Sequence, residues 1–128
     1  MTSSGNLHPN GYAASDNFPI VYPVRDPPEP HYQYVDEDPP NDNTDLVEND
    51  TTDYKEDLYN CETFSLPEGM RIDNIVVYMR ATSGITTLTK GYAYIAVKTG
   101  GTVYYSSLIR PANDWTTYSY TWTTNPNT

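Results

Sequence analysis

The sequence predicts an all-β fold, an antiparallel β-sandwich preceded by a long extended N-terminal arm. Short segments of β-branched and aromatic residues follow one another in the second half of the chain, and glycine, proline and asparagine turns separate them. No segment shows the 3.6-residue apolar period of a helix. Eight of the 11 prolines lie within residues 1–40, where they disfavour helices and inner strands. We therefore predict an arm over residues 1–57 and a β-sandwich module over residues 58–128.

The module is predicted to consist of strands joined by tight turns. Its clearest strand places Ile75, Val77 and Met79 on one face, because successive side chains of a strand point to opposite sides. Gly100-Gly101 predicts a two-residue hairpin, since glycine adopts positive φ at both central positions. We expect strands at residues 57–64, 72–80, 92–98, 102–109 and 115–124.

The strand count leaves the edges of the predicted sandwich open. An open apolar edge promotes aggregation unless something covers it. The arm can pair back onto the edge, another copy can supply a strand, or the natural polypeptide can continue past Thr128. The sequence is compatible with all three.

The N-terminal arm combines prolines with many apolar side chains. We expect extended, polyproline-like or irregular chain here, with one short strand at Leu46-Val47 between turns made by Asp and Asn side chains. Residues such as Phe18 and Tyr22 are too frequent for a solvated tail. The arm is therefore predicted to dock onto its own module or onto a neighbouring subunit.

Charge is divided unevenly along the chain, whose net charge is −10. Residues 1–68 contain 15 acidic and two basic residues, whereas residues 69–128 contain two acidic and five basic ones. The acidic whole disfavours nucleic acid and anionic membrane surfaces as partners. The opposite signs leave the option that the acidic stretch over residues 36–57 meets the basic face carrying Arg71, Arg80, Lys90 and Lys98, a contact that would set register and partner choice.

The acidic stretch over residues 36–57 contains the candidate metal site. Asp36, Asp38, Asp42 and Asp45 can supply oxygen ligands to Ca²⁺, a hard cation that accepts flexible loops of carboxylates. The spacing lacks the glycine and the distal glutamate of an EF-hand loop. The alternative is that these side chains form Asx turns and a charged face, with no cofactor bound.

The sequence indicates no catalytic site. No histidine is nearby in sequence to the serines at 65, 83, 106, 107 and 119, and no nucleophile-elbow motif occurs, so we expect no enzymatic activity. His8 and His31 lie beside prolines in the arm, and two isolated histidines are more often surface groups than metal ligands. Cys61 is the single cysteine, which excludes an intrachain disulfide, and we expect it to be a small buried side chain.

Aromatic residues provide the candidate interaction surface. Tyrosine and tryptophan are amphipathic contact residues, and about half of those on strands must point inward by alternation. We favour an oligomer interface over two alternatives, a flat platform that stacks sugars and an intramolecular core. The candidate contact residues are Phe18, Tyr22, Tyr32, Tyr34, Tyr92, Tyr94, Tyr104, Tyr118, Tyr120 and Trp122.

Several of these segments resemble a loosely defined family of jelly-roll-like β-sandwich modules. Its members occur in tailed-phage, prophage and environmental viral genomes and in cell-surface proteins of archaea and bacteria. The resemblance covers most of the chain and rests on the β-pattern and the turn residues. It is carried by residues 57–59, 72–78, 95–105 and 118–128, and upstream by residues 7–11, 35–37 and 42–45.

The resemblance implies a jelly-roll-like fold and a structural role on a virion surface (capsid decoration, tail or fibre) or in an extracellular filament. It implies no catalytic residues, and its implied partners are copies of the chain, other particle subunits or glycans. The alternative is a carbohydrate-binding adhesion module. Such modules usually continue past a turn like Asn125-Pro126-Asn127 into closing strands, so we expect completion past Thr128 or by another chain.

Overall fold

The computed structural model describes residues 7–23, 29–36, 42, 45–51, 53–83 and 91–127. Within these ranges the secondary structure consists of eight strands and one short 3-10 helix, which confirms the predicted all-β class. The chain divides into two compact units, Met1–Ser65 and Leu66–Thr128. In the described part of each unit, four strands form two antiparallel two-stranded sheets. The jelly-roll arrangement stays a prediction.

In the first unit, strands from the predicted arm contribute to both sheets. Strand β1 (Pro9–Asp16) pairs with β4 (Asp57–Cys61), and β2 (Ile20–Tyr22) pairs with β3 (Leu46–Glu48). The short strand predicted at residues 46–47 is confirmed. Because β1 pairs with β4, the arm pairs back onto the first strand that we predicted for the module. The division at residue 57 stays a prediction. The boundary between the two compact units falls eight residues later in the sequence, after Ser65.

Strands β1 and β2 form where the sequence led us to expect irregular or polyproline-like chain, so that expectation was wrong for both. The prolines occupy positions that a strand tolerates. Pro9 is the first residue of β1, and Pro19 and Pro23 flank β2. At these positions the missing amide donor interrupts no ladder, and the chain between them is free to pair.

Among the described residues of the first unit, two apolar side chains are buried. Tyr34, at the end of the 3-10 helix (His31–Tyr34), is 1% exposed, and Leu58 in β4 is 7% exposed. Pro30 precedes the helix with φ of −63°, a value to which the proline ring is fixed. The amide of Gln33 donates to the carbonyl of Pro30 at 3.1 Å, which closes the first turn and directs His31 and Tyr34 inward. Cys61, predicted to be buried, is exposed at the end of β4, because the strand ends there.

The second unit contains the predicted hairpin. Strand β6 (Ala96–Thr99) pairs with β7 (Thr102–Tyr105), and Gly100 and Gly101 between them have φ of +57° and +81°. The strand predicted over residues 92–98 is shorter than expected. Upstream of β6, Ala93 makes only an isolated bridge to Ile109.

The other sheet of the second unit joins β5 (Ile75–Ala81) to β8 (Thr116–Trp122). The register places Ile75 opposite Trp122 and Val77 opposite Tyr120. Since paired residues share a face, this confirms the predicted face of Ile75, Val77 and Met79. None of the helices in the described ranges is long and apolar enough to cross a membrane.

Candidate functional site

A cluster of one imidazole and two carboxylates joins three elements of the first unit. Nδ1 of His31 lies 2.5 Å from Oδ1 of Asp16 and 2.7 Å from Oδ2 of Asp57. Asp16 ends β1, Asp57 begins β4, and the ladder places the two residues opposite each other. His31 reaches both from the 3-10 helix. Like charges directly opposite in a sheet repel, and the imidazole separates them.

The cluster is largely shielded from solvent. The side chain of Asp57 is 3% exposed, that of His31 17% and that of Asp16 25%. A carboxylate at the depth of Asp57 is costly unless polar groups surround it. The stability of the folded site therefore depends on the hydrogen-bond donors to the Asp57 carboxylate.

Asp57 receives hydrogen bonds on both carboxylate oxygens. The backbone amides of Asn17 and Phe18 donate to Oδ1 at 2.5 and 2.8 Å, and the hydroxyl of Tyr59 donates to Oδ2 at 2.9 Å. These donors hold the carboxylate in one orientation, with Oδ2 turned toward the imidazole of His31. Donors to an ionised acceptor form the stronger class of hydrogen bond.

The environment of the cluster also changes the pKa of the Tyr59 hydroxyl. Burial raises the pKa of its hydroxyl far above the ordinary value, and the neighbouring charge of Asp57 raises it further. Tyr59 therefore stays protonated over the accessible pH range and keeps donating its hydrogen bond to Asp57.

The sequence led us to expect His31 to be a plain surface group, and the structure corrects this. The turn closed by Pro30 directs the imidazole against β1 and β4. Tyr59 follows Asp57 by two residues on one strand, so their common face was readable from the sequence. The meeting of Asp16 with Asp57 depends on long-range strand pairing and has no local signal.

The acidic residues proposed for Ca²⁺ are not those of the cluster described above. Within the described ranges, the one group of three ligand-bearing side chains with ligand atoms within 4.8 Å of one another is Asp16, His31 and Asp57. Asp36, Asp42 and Asp45 do not form such a group there, and Asp38 lies outside the described residues. The Ca²⁺ site stays a prediction. One Asx turn occurs within the acidic stretch, where Oδ1 of Asn49 accepts the amide of Thr51 at 3.1 Å.

The second unit presents an apolar face on the β5–β8 sheet, made of Ile75, Val77, Met79, Tyr118, Tyr120 and Trp122, which we call the β5–β8 apolar face. The rings of Tyr120 and Trp122 lie edge to face, with centroids 4.5 Å apart. Ile75 is 50% exposed and the other five side chains are half-buried. The opposite face alternates Val76, Tyr78 and Arg80 with hydroxyl residues of β8.

Three further tyrosines predicted as contact residues lie near β6 and β7. The guanidinium of Arg110 lies 5.1 Å from the ring centroid of Tyr92. Tyr94 packs edge to face against Tyr105 with centroids 6.0 Å apart, and both rings are more than two-fifths exposed. Tyr104 is half-buried, and its hydroxyl donates to Oδ1 of Asn127 at 3.3 Å.

The aromatic residues of the arm differ in burial. Tyr22 is 53% exposed, whereas Phe18 and Tyr32 are half-buried. Tyr34, which we predicted to contact a partner, lies in the interior of the first unit, because the 3-10 helix turns it inward. Tyr22 is thus the most exposed of the four contact residues predicted in the arm.

Comparisons of the chain with models of protein families, with curated proteins and with solved structures find no match.

Proposed function

We propose that this chain is a non-catalytic structural protein that assembles with copies of itself through the β5–β8 apolar face. The observation that carries the proposal is the incomplete covering of this face. Ile95, at 4% exposure, is the one buried apolar residue in the described part of the second unit, apart from the proline ring of Pro111. An interior of this size supports a small domain only marginally.

The sheet edges support the same proposal. Within the described ranges, β5 and β8 pair with each other and with no other strand. A two-stranded sheet is marginally stable alone in water, and a strand supplied by a second molecule satisfies its open edge. Contact on the face together with pairing at the edge gives both packing and register.

The charge distribution favours a second copy as the partner. The first 68 residues carry a net charge of about −13 and the remainder about +3 by counting ionised side chains. Arg71, Lys98 and Arg110 are exposed in the second unit. The acidic unit of one copy therefore attracts the basic unit of the next, which steers association. A repeated contact of this type builds a filament or a particle shell.

A virion surface (a capsid decoration, tail or fibre) or an extracellular filament is the setting that we propose. The support is the resemblance of the strand and turn residues to jelly-roll-like modules, together with the incompletely covered β5–β8 apolar face. Such settings bring many copies of one chain close together, where a weak individual contact is sufficient.

Light scattering and electron microscopy of the full chain test the proposal. We expect concentration-dependent oligomers that dissociate as NaCl rises from about 0.05 to about 0.5 M, since the Debye length falls well below 10 Å over this range. A protein that remains monomeric at all concentrations and salt levels would contradict it.

Carbohydrate binding is the second candidate, and the exposed edge-to-face pair of Tyr94 and Tyr105 favours it. Flat aromatic rings provide apolar area beside a polar hydroxyl, a combination suited to stacking on a sugar ring. A glycan array decides this case. Retention that Tyr105→Ala abolishes supports the sugar-binding role, and absence of retention on every glycan excludes it.

A further inference from the structure

The cluster of Asp16, His31 and Asp57 has more hydrogen-bond acceptors and more negative charge than the one imidazole can match. Nδ1 of His31 lies within 2.7 Å of a carboxylate oxygen on each side. An imidazole nitrogen carries at most one proton, so a single N–H is shared between two acceptors. Two carboxylates and a neutral imidazole carry two negative charges together.

We propose that Asp16, His31 and Asp57 bind a divalent transition-metal ion, with Zn²⁺ as the reference case. Imidazole nitrogen and carboxylate oxygen are both ligands of Zn²⁺, and imidazole favours transition metals over Ca²⁺ and Mg²⁺. One divalent cation balances the two carboxylates and satisfies all three ligand atoms together. This site differs in residues and in ion class from the Ca²⁺ site predicted at residues 36–45.

The three ligand atoms are close enough to bind one ion. They lie within 4.8 Å of one another. Zn²⁺ bonds of about 2.0–2.2 Å in tetrahedral geometry place neighbouring ligand atoms about 3.3 Å apart. His31 and Asp16 therefore move outward by less than about 1 Å on binding. Asp57 stays in place, because two backbone amides and Tyr59 hold it.

The surroundings resemble those of a formed metal site. Hydrogen bonds that orient a ligating carboxylate raise the affinity for the ion, and Asp57 has three donors besides His31. The partial exposure of Asp16 and His31 gives the ion a route from solvent and leaves a position for water. The bound ion ties β1, the 3-10 helix and β4 together, so its effect is on the stability of the first unit.

The experiment uses the full chain, stripped of metal with a chelator and titrated with ZnCl₂, CoCl₂ or CaCl₂. We expect one Zn²⁺ per chain by calorimetry, a visible Co²⁺ spectrum of low coordination number, and no comparable binding of Ca²⁺. Zn²⁺ should also raise the melting temperature of the first unit, because an ion that binds only the folded state stabilises it.

His31→Gln and His8→Gln form a matched pair. His8 also contacts a carboxylate, with Nδ1 2.9 Å from Oε1 of Glu62, but among the described residues it belongs to no group of three ligand-bearing side chains. We expect His31→Gln to weaken Zn²⁺ binding at least tenfold and His8→Gln to leave it unchanged. If His31→Gln fails to fold, Asp16→Asn gives the same comparison at the more exposed carboxylate. Absent binding, tighter binding of Ca²⁺ than Zn²⁺, or equal loss in His8→Gln would overturn the proposal.

Discussion

Tyr59 donates a hydrogen bond of 2.9 Å to Asp57, two residues before it on the same strand. The contact fixes the carboxylate on which β1, β4 and the 3-10 helix converge. It also explains why the half-buried Tyr59 directs its hydroxyl at a charged group.

Replacing Tyr59 with Phe removes this donor and leaves the ring in place. We expect the free energy of unfolding of the first unit to fall by about 1.5 kcal/mol, the lower end for a hydrogen bond to a charged group. Amide hydrogen exchange at Asn17 and Phe18 measures the loss locally, since both amides bond to Asp57. Tyr22→Phe is the control, because this residue is 53% exposed. An equal loss in both variants would show that the Asp57 contact adds nothing.

Ile75 and Val76 are neighbours on β5 that point to opposite faces. Ile75→Lys places a charge on the β5–β8 apolar face. Val76→Lys places the same charge on the opposite face of the sheet, which carries Arg80 and the hydroxyl residues of β8. At 50% and 39% exposure, both positions accept lysine without loss of folding. We expect Ile75→Lys to reduce the oligomer mass in sedimentation velocity and Val76→Lys to preserve it. The same oligomer mass for both variants would contradict the proposal that the β5–β8 apolar face forms the interface.

Glu62 is paired with His8 at the end of the β1–β4 sheet. The amide of His8 donates to Oε1 of Glu62 at 3.0 Å. This bond, followed by the imidazole contact, lowers the pKa of the carboxyl below its ordinary value of 4.5. A lowered pKa in the folded state means that the stabilisation is present above pH 4.5 and is lost as pH falls through the lowered value.

Glu62→Gln should therefore resemble the wild type at acidic pH and be less stable near neutrality. NMR titration of the Glu62 carboxyl gives the pKa directly, and urea unfolding across this pH range gives the stability difference. If the difference in unfolding free energy between the wild type and Glu62→Gln grew toward acidic pH, the prediction would be contradicted. Glu48→Gln is a control on an exposed strand residue.

Cys61 is exposed but its thiol is partly desolvated. Burial raises the pKa of the thiol, and the charge of Glu62 raises it further. Because the thiolate is the reactive form, we expect iodoacetamide to alkylate Cys61 more slowly at neutral pH than it alkylates an unfolded-chain thiol. Glu62→Gln should speed the reaction only slightly, since burial is the larger cause. A rate equal to that of the urea-unfolded chain would contradict this.

Gly100 and Gly101 form the β6–β7 hairpin with positive φ. Alanine at either position costs about 1 kcal/mol, because its Cβ strains a left-handed backbone. Gly100→Ala should cost more, since its Cβ would meet the side chain of Asn127, whereas a Cβ at Gly101 meets nothing within 4 Å. Trp115 and Trp122 are the only tryptophans, so their fluorescence during urea unfolding reports on the second unit alone. Equal costs at the two positions would exclude the Asn127 contact.

The sequence by itself determined the local features of this fold. Alternation of apolar residues indicated the face of Ile75, Val77 and Met79, and Gly100-Gly101 indicated the hairpin. Both depend on the backbone period and on φ, which are properties of a few adjacent residues. The all-β class follows from the same local preferences.

Tertiary structure decided the features that depend on distant segments. Proline density in the arm concealed strands β1 and β2, because a proline at a strand end costs no ladder hydrogen bond. The cluster of Asp16, His31 and Asp57 required the β1–β4 register and the turn after Pro30 together. No local pattern specifies that register, because the free energy of strand pairing comes from residues far apart in the chain.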